Sequence, residues 1–129
     1  MRYVLDTHAL IWFLMKDNRL SERVKTTIQD PQANLVIPAI VLAESKYIAD
    51  RKRVTIPYAQ ILDAVTLSPN YTIAPLDTPT ISLLPDNLDI HDGLIVATAL
   101  RVQDLYSDEV AILTNDLRIT SSALANVIW

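Results

Sequence analysis

The sequence predicts an α/β fold in which a parallel sheet of about four to five strands is flanked by helices on both faces. Short apolar runs alternate with longer segments of helical periodicity, which is the order typical of parallel sheets. Half of the 129 residues are hydrophobic, enough to build one packed core, and the length fits one domain over residues 1–129. No internal repeat, linker or low-complexity segment divides the chain.

The first strand and the first two helices are predicted near the start of the chain. Residues 2–6 (RYVLD) are a short apolar run rich in β-forming residues, which favours a buried strand. Residues 7–15 are almost continuously apolar and predict a helix that is buried on most sides. Ser21 is a good N-cap for the more polar helix predicted at 21–30.

Two prolines mark helix starts in the middle of the chain. Residues 34–37 (NLVI) predict the second strand, and Pro38 then opens a helix over 38–53. Proline is accepted in a first helical turn because its missing N–H has no partner there. A helix at 57–67 begins in the same way.

The remaining elements follow in the same alternation. Residues 71–76 predict the third strand, and a short helix follows at 78–84. A strongly apolar helix is predicted at 90–105, and the fourth strand at 110–116 (VAILTND). A short helix at 117–124 and a terminal strand at 125–129 complete the order.

Composition excludes several classes of site. The single glycine, Gly93, rules out glycine-rich phosphate loops, and the lack of cysteine rules out disulfides, zinc–thiolate centres and thiol nucleophiles. We see no apolar run long enough to span a bilayer and no signal peptide, so a cytoplasmic protein without membrane contact is expected. A net charge of −4 argues against binding nucleic acid by general basicity, but not against acids gathered around a divalent cation.

Four carboxylates fall where such a sheet presents its ligands. Asp6 ends the first predicted strand and Asp116 the fourth, while Asp92 lies in the first turn of the helix at 90–105. Glu44 stands on the apolar stripe of the preceding long helix, where a lone buried charge would be costly. Because open α/β sheets bind ligands beyond the carboxyl ends of their strands, the four acids are expected to converge there.

Convergence of four acids requires a cation. Two like charges about 4 Å apart near a protein surface repel by about 4 kcal/mol, which a hard divalent cation with oxygen ligands would relieve. Each acid also has a simpler interpretation. Asp6 and Asp116 could cap the helices that follow them, Asp89 and Asp92 resemble a capping box, and Glu44 could rotate to solvent.

These residues, taken together, resemble the PIN-domain ribonucleases, and within them the VapC-like toxins of toxin–antitoxin modules. Four segments carry the resemblance, which runs over essentially the whole chain: VLDTHALIW (4–12), IPAIVLAES (37–45), DIHDGLIVATAL (89–100) and ILTND (112–116). The resemblance implies a single PIN-like domain that cleaves RNA endonucleolytically with Mg²⁺ or Mn²⁺. It also implies a cognate antitoxin as partner and favours a homodimer.

The resemblance assigns roles residue by residue. Asp6, Glu44, Asp92 and Asp116 match the metal-binding and catalytic acids of the family. The supporting positions are the earlier acid Asp89 and the hydroxyls Thr7 and Thr114. The sequence departs from the family at Gly93, where many relatives carry arginine or alanine, and so lacks a possible basic contact to substrate.

Further residues are candidates on weaker grounds. Lys46, Arg51, Lys52 and Arg53 lie on or just beyond the Glu44 helix and could bind the RNA backbone or a partner. Positive charge at the end of a helix also complements its dipole, and that explanation is preferred, for Arg118 as well. His91 could orient Asp92 or contact substrate. The apolar segment 9–15 could bind a second copy or an antitoxin segment.

Three other functions remain to be weighed. A non-catalytic PIN-like module that binds RNA or protein is the main alternative, although the complete acid set argues against it. A haloacid-dehalogenase-like phosphatase needs an aspartate two residues after its nucleophile, whereas Asp6 is followed by Thr7 and His8. A structure-specific DNA nuclease shares the PIN-type site, but the chain is too short for the extra elements that bind duplex DNA.

Overall fold

The computed structural model describes residues 1–129 as one parallel sheet with seven helices. The strands are β1 Arg2–Leu5, β2 Asn34–Pro38, β3 Tyr71–Ala74, β4 Val110–Leu113 and β5 Asn126–Ile128. The helices are α1 Thr7–Leu14, α2 Glu22–Gln29, α3 Ala39–Asp50, α4 Tyr58–Thr66, α5 Thr78–Ile81, α6 Ile90–Tyr106 and α7 Leu117–Ser122. The predicted α/β class and parallel sheet are confirmed.

All five strands are parallel, in the order β3-β2-β1-β4-β5. The central strands are buried on both faces, which is why they are continuous apolar runs rather than alternating ones. Val4 is the centre of this sheet: it pairs with Val36 on one side and Ile112 on the other, and all three are at most 2% exposed.

The strand order reverses at β1. The chain leads from β1 outward through β2 to β3, and then back across the sheet to β4 and β5 on the other side. Crossovers between parallel strands are right-handed as a rule. The helices of the two halves therefore lie on opposite faces. Contacts between α1, α3 and α4, and between α5, α6 and α7, agree with this division, and α3 also contacts α6. The gap between β1 and β4 is thus the switch point, where such sheets bind ligands.

Several predicted boundaries were wrong, each for a local reason. The fourth strand ends at Leu113 rather than 116, because the chain turns there to let Thr114 contact Asp6. The third helix covers Ala39–Asp50 rather than 38–53, since Lys52 has a φ of 54°, which no helix continues through. The strand predicted at 71–76 stops at Ala74, before Pro75, and the helix predicted at 78–84 ends at Ile81.

None of the seven helices is both long and apolar enough to span a bilayer.

Candidate active site

Asp6 and Asp116 meet at the carboxyl ends of the neighbouring strands β1 and β4. Both are N-caps, of α1 and α7 respectively, so the capping interpretation was correct for both. Thr114, fully buried, joins them: its hydroxyl donates to Asp6 Oδ2, and its Oγ1 accepts the Asp116 N–H at 3.0 Å. We call Asp6 and Asp116 the capping pair.

Capping uses only one carboxylate oxygen of each residue. Asp6 Oδ1 accepts the Ala9 N–H at 2.8 Å, and Asp116 Oδ1 accepts the N–H groups of Arg118 and Ile119 at 2.8 and 3.2 Å. The Oδ2 atoms point elsewhere, toward Thr114 and the Arg118 side chain. A residue can therefore cap a helix and contribute to a site at the same time.

The pKa values of the two capping carboxyl groups are shifted in opposite directions. Burial raises the pKa of Asp6, which is only 7% exposed, and the hydrogen bonds from Thr114 and Ala9 offset part of that rise. Burial would also raise the pKa of Asp116, but the hydrogen bonds from Arg118 and Ile119 outweigh it and lower the pKa. Asp116 therefore loses its proton at a lower pH than Asp6 does.

Glu44 and Asp92 approach the same edge from helices α3 and α6, and we call them the free pair. Each has one buried oxygen with no hydrogen-bond partner, Glu44 Oε1 and Asp92 Oδ2. Burial raises the pKa of Glu44, and burial together with the charge of Asp116 raises that of Asp92. Buried oxygens without donors are expected where a ligand completes the site.

Arg118 contacts both pairs, which the sequence analysis missed. Its Nη2 lies 3.3 Å from Asp116 Oδ2, and its Nε lies 3.5 Å from Asp92 Oδ2, too far for a full hydrogen bond. Its position in the first turn of the predicted helix at 117–124 could have indicated a partner for it, because helix starts rarely favour a cation. The helix dipole disfavours a cation there, so the preferred explanation by dipole complementarity was wrong.

The other predicted supporting residues occupy different places around the four acids. Thr7 is buried close to Glu44, and its hydroxyl makes no hydrogen bond. Asp89 is at the N-cap of α6 but its side chain makes no capping bond, so the capping-box interpretation was wrong. His91 is exposed and lowers the pKa of Glu44 through its charge.

The structure separates the four basic candidates. Lys46 is exposed and is paired with Asp50, one turn further along α3. Arg51 stacks on Tyr47, 3.4 Å from the ring centroid, and Lys52 lies in the exposed turn beyond α3. Only Arg53 lines a groove together with Glu44.

Two open grooves lead into the acidic site. One, of about 510 Å³, is lined by Glu44, His91, Tyr47, Arg53 and the apolar side of α3. The other, of about 220 Å³, is lined by Asp6, Asp116 and the aromatic residues His8, Trp12 and Trp129. The Trp12 side chain packs against both other rings, with centroids 5.2 Å from His8 and 6.0 Å from Trp129.

Gly93 fits the close packing beneath Asp92. A Cβ at this buried position would meet Leu84 Cδ1 at 2.8 Å and Pro85 Cδ at 3.7 Å. The glycine therefore allows the first turn of α6 to lie against the segment after α5. A larger side chain here would require the end of the Leu84 side chain to shift, and the absence of a basic substrate contact at Gly93 stays a prediction.

No three His, Asp or Glu side chains form a preassembled metal-ion cluster. The donor set nevertheless suits a hard cation, because all four acids offer oxygen ligands and two of those oxygens are buried without partners.

Residues 3–123 match the family model of the PIN domain. The chain belongs to the PIN domain family. Its fold also resembles solved structures. FitAcB from Neisseria gonorrhoeae matches with a TM-score of 0.70 and 18% identity, over 98% of this chain and 96% of that one. FitAB bound to an IR36 DNA fragment matches with a TM-score of 0.69 and 18% identity, over 98% of this chain and 93% of that one.

VapBC2 from Rickettsia felis, bound to a DNA fragment from its promoter, gives a TM-score of 0.73 at 15% identity, over 100% of this chain and 99% of that one. At such identities the likeness establishes the fold. The resemblance to VapC-like PIN proteins, read from the motifs, is confirmed at the level of family and fold. No curated protein matches the chain significantly.

Proposed function

We propose that this PIN domain is a metal-dependent endoribonuclease, the toxin of a toxin–antitoxin module. The observation that carries the proposal is that Asp6, Glu44, Asp92 and Asp116, from four different elements, approach one edge of the sheet at its switch point. They are close enough for the charges of neighbouring acids to contribute to raised pKa values at three of them, although no three form a preassembled cluster. Two of their oxygens are buried without partners. A structural core has no reason to bring four acids together, because like charges at close range repel strongly.

The four acids are the proposed ligands of Mg²⁺ or Mn²⁺. A divalent cation bound there would lower the pKa of a water molecule and neutralise charge that develops on a phosphate. Thr114 fixes Asp6 and Asp116 relative to each other, because its hydroxyl contacts both. Glu44 Oε1 and Asp92 Oδ2 make no hydrogen bond, and they are the oxygens that would bind the cation or accept a proton from the attacking water.

The groove beside Glu44 is the proposed path of the RNA. Its exposed aromatic ring, Tyr47, offers a surface on which a base can stack, and Arg53 offers a charge for the phosphate backbone. Arg51, already stacked on the same ring, adds a second guanidinium. This local positive charge supports RNA binding by a protein whose net charge is −4.

The antitoxin and the homodimer belong to the same proposal. The VapC-like resemblance supports an antitoxin partner, and exposed apolar side chains such as Ile81, 50% exposed, and Ile90, 59% exposed, leave surface for association. Light scattering on the purified chain at micromolar concentration tests the dimer: we expect twice the mass of one chain.

Cleavage of total RNA by the purified chain tests the nuclease, with Mg²⁺, with Mn²⁺ and with EDTA. We expect discrete fragments that require the metal and disappear in Asp6→Asn and Asp92→Asn. Asp104→Asn is the matched control, because Asp104 is exposed at the far end of the same helix as Asp92. Cleavage that survives in both site variants would overturn the proposal.

The alternative is a PIN-like module that binds RNA or protein without cutting. The contact of Arg118 with Asp92 and Asp116 favours it, since an internal cation can neutralise acids that have no catalytic use. Binding of RNA by a folded, metal-loaded chain without cleavage would support this alternative.

A further inference from the structure

We propose that Arg118 is a tethered cation that occupies the acidic site when no metal is bound and is displaced when a divalent cation enters. The inference rests on the proposed metal site and concerns a residue outside its ligand set. It assigns to Arg118 a regulatory role, competition with the metal, that neither the family match nor the structural neighbours supply.

Geometry is the first argument. One guanidinium bridges carboxylates from two elements, with Nη2 3.3 Å from Asp116 and Nε 3.5 Å from Asp92. The repulsion between those acids contributes to the raised pKa of Asp92, and the charge of Arg118 acts against it. The arginine therefore performs, in the metal-free protein, part of the neutralisation that a divalent cation would perform.

The looseness of the contact is the second argument. The Arg118 side chain is 69% exposed, whereas those of Asp92 and Asp116 are 15% and 25% exposed. The approach of Nε to Asp92 is longer than a normal hydrogen bond, and Asp92 Oδ2 still has no hydrogen-bond partner. An exposed guanidinium held this weakly can leave at small cost, because surface ion pairs contribute little to stability.

The position of Arg118 on its helix is the third argument. It stands in the first turn of α7, where the positive end of the helix dipole disfavours a cation. Neither packing nor the dipole explains a basic residue there. The two carboxylates do, since they are the only acids the side chain contacts.

Displacement does not require α7 to unfold. The Arg118 backbone N–H donates to Asp116 Oδ1, and this cap is independent of the side chain. The guanidinium can therefore swing outward while Asp116 keeps its place. Arg118 would lower the apparent affinity for metal while stabilising the empty site.

The test measures Mn²⁺ and Mg²⁺ binding to the full chain by calorimetry, with thermal melting in EDTA and in saturating Mn²⁺. The variants are Arg118→Gln, Arg118→Lys and the control Arg23→Gln. Arg23 is an exposed arginine on α2 whose side chain contacts no acid of the site, and its substitution changes the net charge equally.

We expect Arg118→Gln to bind Mn²⁺ about three- to tenfold more tightly than wild type, because one competing charge is gone. The same variant should melt at a lower temperature in EDTA, with the difference closing in saturating Mn²⁺. Arg23→Gln should change the affinity less than twofold. Arg118→Lys should fall between wild type and Arg118→Gln, since an ammonium cannot bridge both carboxylates as the planar guanidinium does.

The inference is overturned if Arg118→Gln binds the metal no more tightly than wild type, or if Arg23→Gln gains as much affinity as Arg118→Gln. It is also overturned if neither wild type nor Arg118→Gln binds the metal. Should Arg118→Gln fail to fold, Arg118→Lys carries the test: affinity equal to or below wild type overturns it. The readout is independent of RNA cleavage. Tighter Mn²⁺ binding in a protein that cuts no RNA would sustain this inference and overturn only the nuclease.

Discussion

The capping pair and the free pair lie at the same edge of the sheet but are held in opposite ways. Asp6 and Asp116 each fix a helix with one oxygen and are linked by Thr114. Glu44 and Asp92 each have a buried oxygen with no hydrogen-bond partner, and the oxygen of Asp92 has only the long contact with Arg118. The difference teaches that one half of the site is part of the fold, while the other half keeps buried oxygens whose hydrogen-bonding capacity the fold does not use.

The largest expected effect is on cleavage by variants of the free pair. Glu44→Gln and Asp92→Asn should lower RNA cleavage a hundredfold or more, because metal and proton contacts are lost from the reaction. Their melting temperatures in EDTA should not fall, since neither carboxylate caps a helix. A fall of several degrees in either variant would break the distinction between the two pairs.

Metal addition should produce the next largest effect. A cation at about one hundred times its dissociation constant stabilises a folded protein by about 2.7 kcal/mol. Urea unfolding with and without Mn²⁺ should show this gain in wild type, and most of it should disappear in Asp92→Asn. A full gain in that variant would mean that the cation binds elsewhere.

Removing a capping carboxylate should cost about 2 kcal/mol. Asp6→Ala loses a helix cap and leaves the buried Thr114 hydroxyl without its acceptor, offset in part by the relief of a buried charge. Urea unfolding measures the loss. Asp63→Ala, on an exposed side of α4, is the control, and an equal loss there would show that capping is not the cause.

The smallest expected effect is on the free energy of unfolding of Glu44→Gln without metal, which should exceed that of wild type by an amount that depends on pH. Burial raises the pKa of Glu44 above its ordinary value of 4.5, so the stability linked to the protonated group is complete below that pH and is lost as pH rises through the folded-state pKa. The glutamine variant avoids this loss. Because Glu44 is only half-buried, we expect a gain of about 0.5 kcal/mol at pH 7 and none near pH 4. A gain that does not change between those values would contradict burial as the cause.

Sequence periodicity was enough to predict the order and type of every helix and strand, because each of them has its own apolar pattern. It was less informative where the chain leaves an element. The predicted strand 110–116 included Thr114 and Asp116, whose turn depends on a contact with Asp6, more than one hundred residues away. Such long-range contacts leave no trace in a local pattern.

The sequence was enough to place the four acids near one edge of the sheet but not to find the arginine beside them, and the roles of the acids stay predictions. Asp6 and Asp116 stood out at strand ends, Glu44 on an apolar stripe and Asp92 at the start of a helix. Capping and site formation were treated as alternatives, yet a carboxylate has two oxygens and the capping pair does both. Arg118 was assigned to the helix dipole although it stands at the wrong end of α7 for that purpose.

The two duties of the capping pair bear on how this domain can change over evolutionary time. Under the proposed function, Asp6 and Asp116 are retained by two independent constraints, folding and catalysis, whereas Glu44 and Asp92 are retained for catalysis alone. A descendant that stopped cutting would therefore shed Glu44 or Asp92 first and keep the other two as remnants. An intact pair of helix-capping aspartates in a divergent homologue is consequently weak evidence of activity. The glutamate on α3 is the more informative residue.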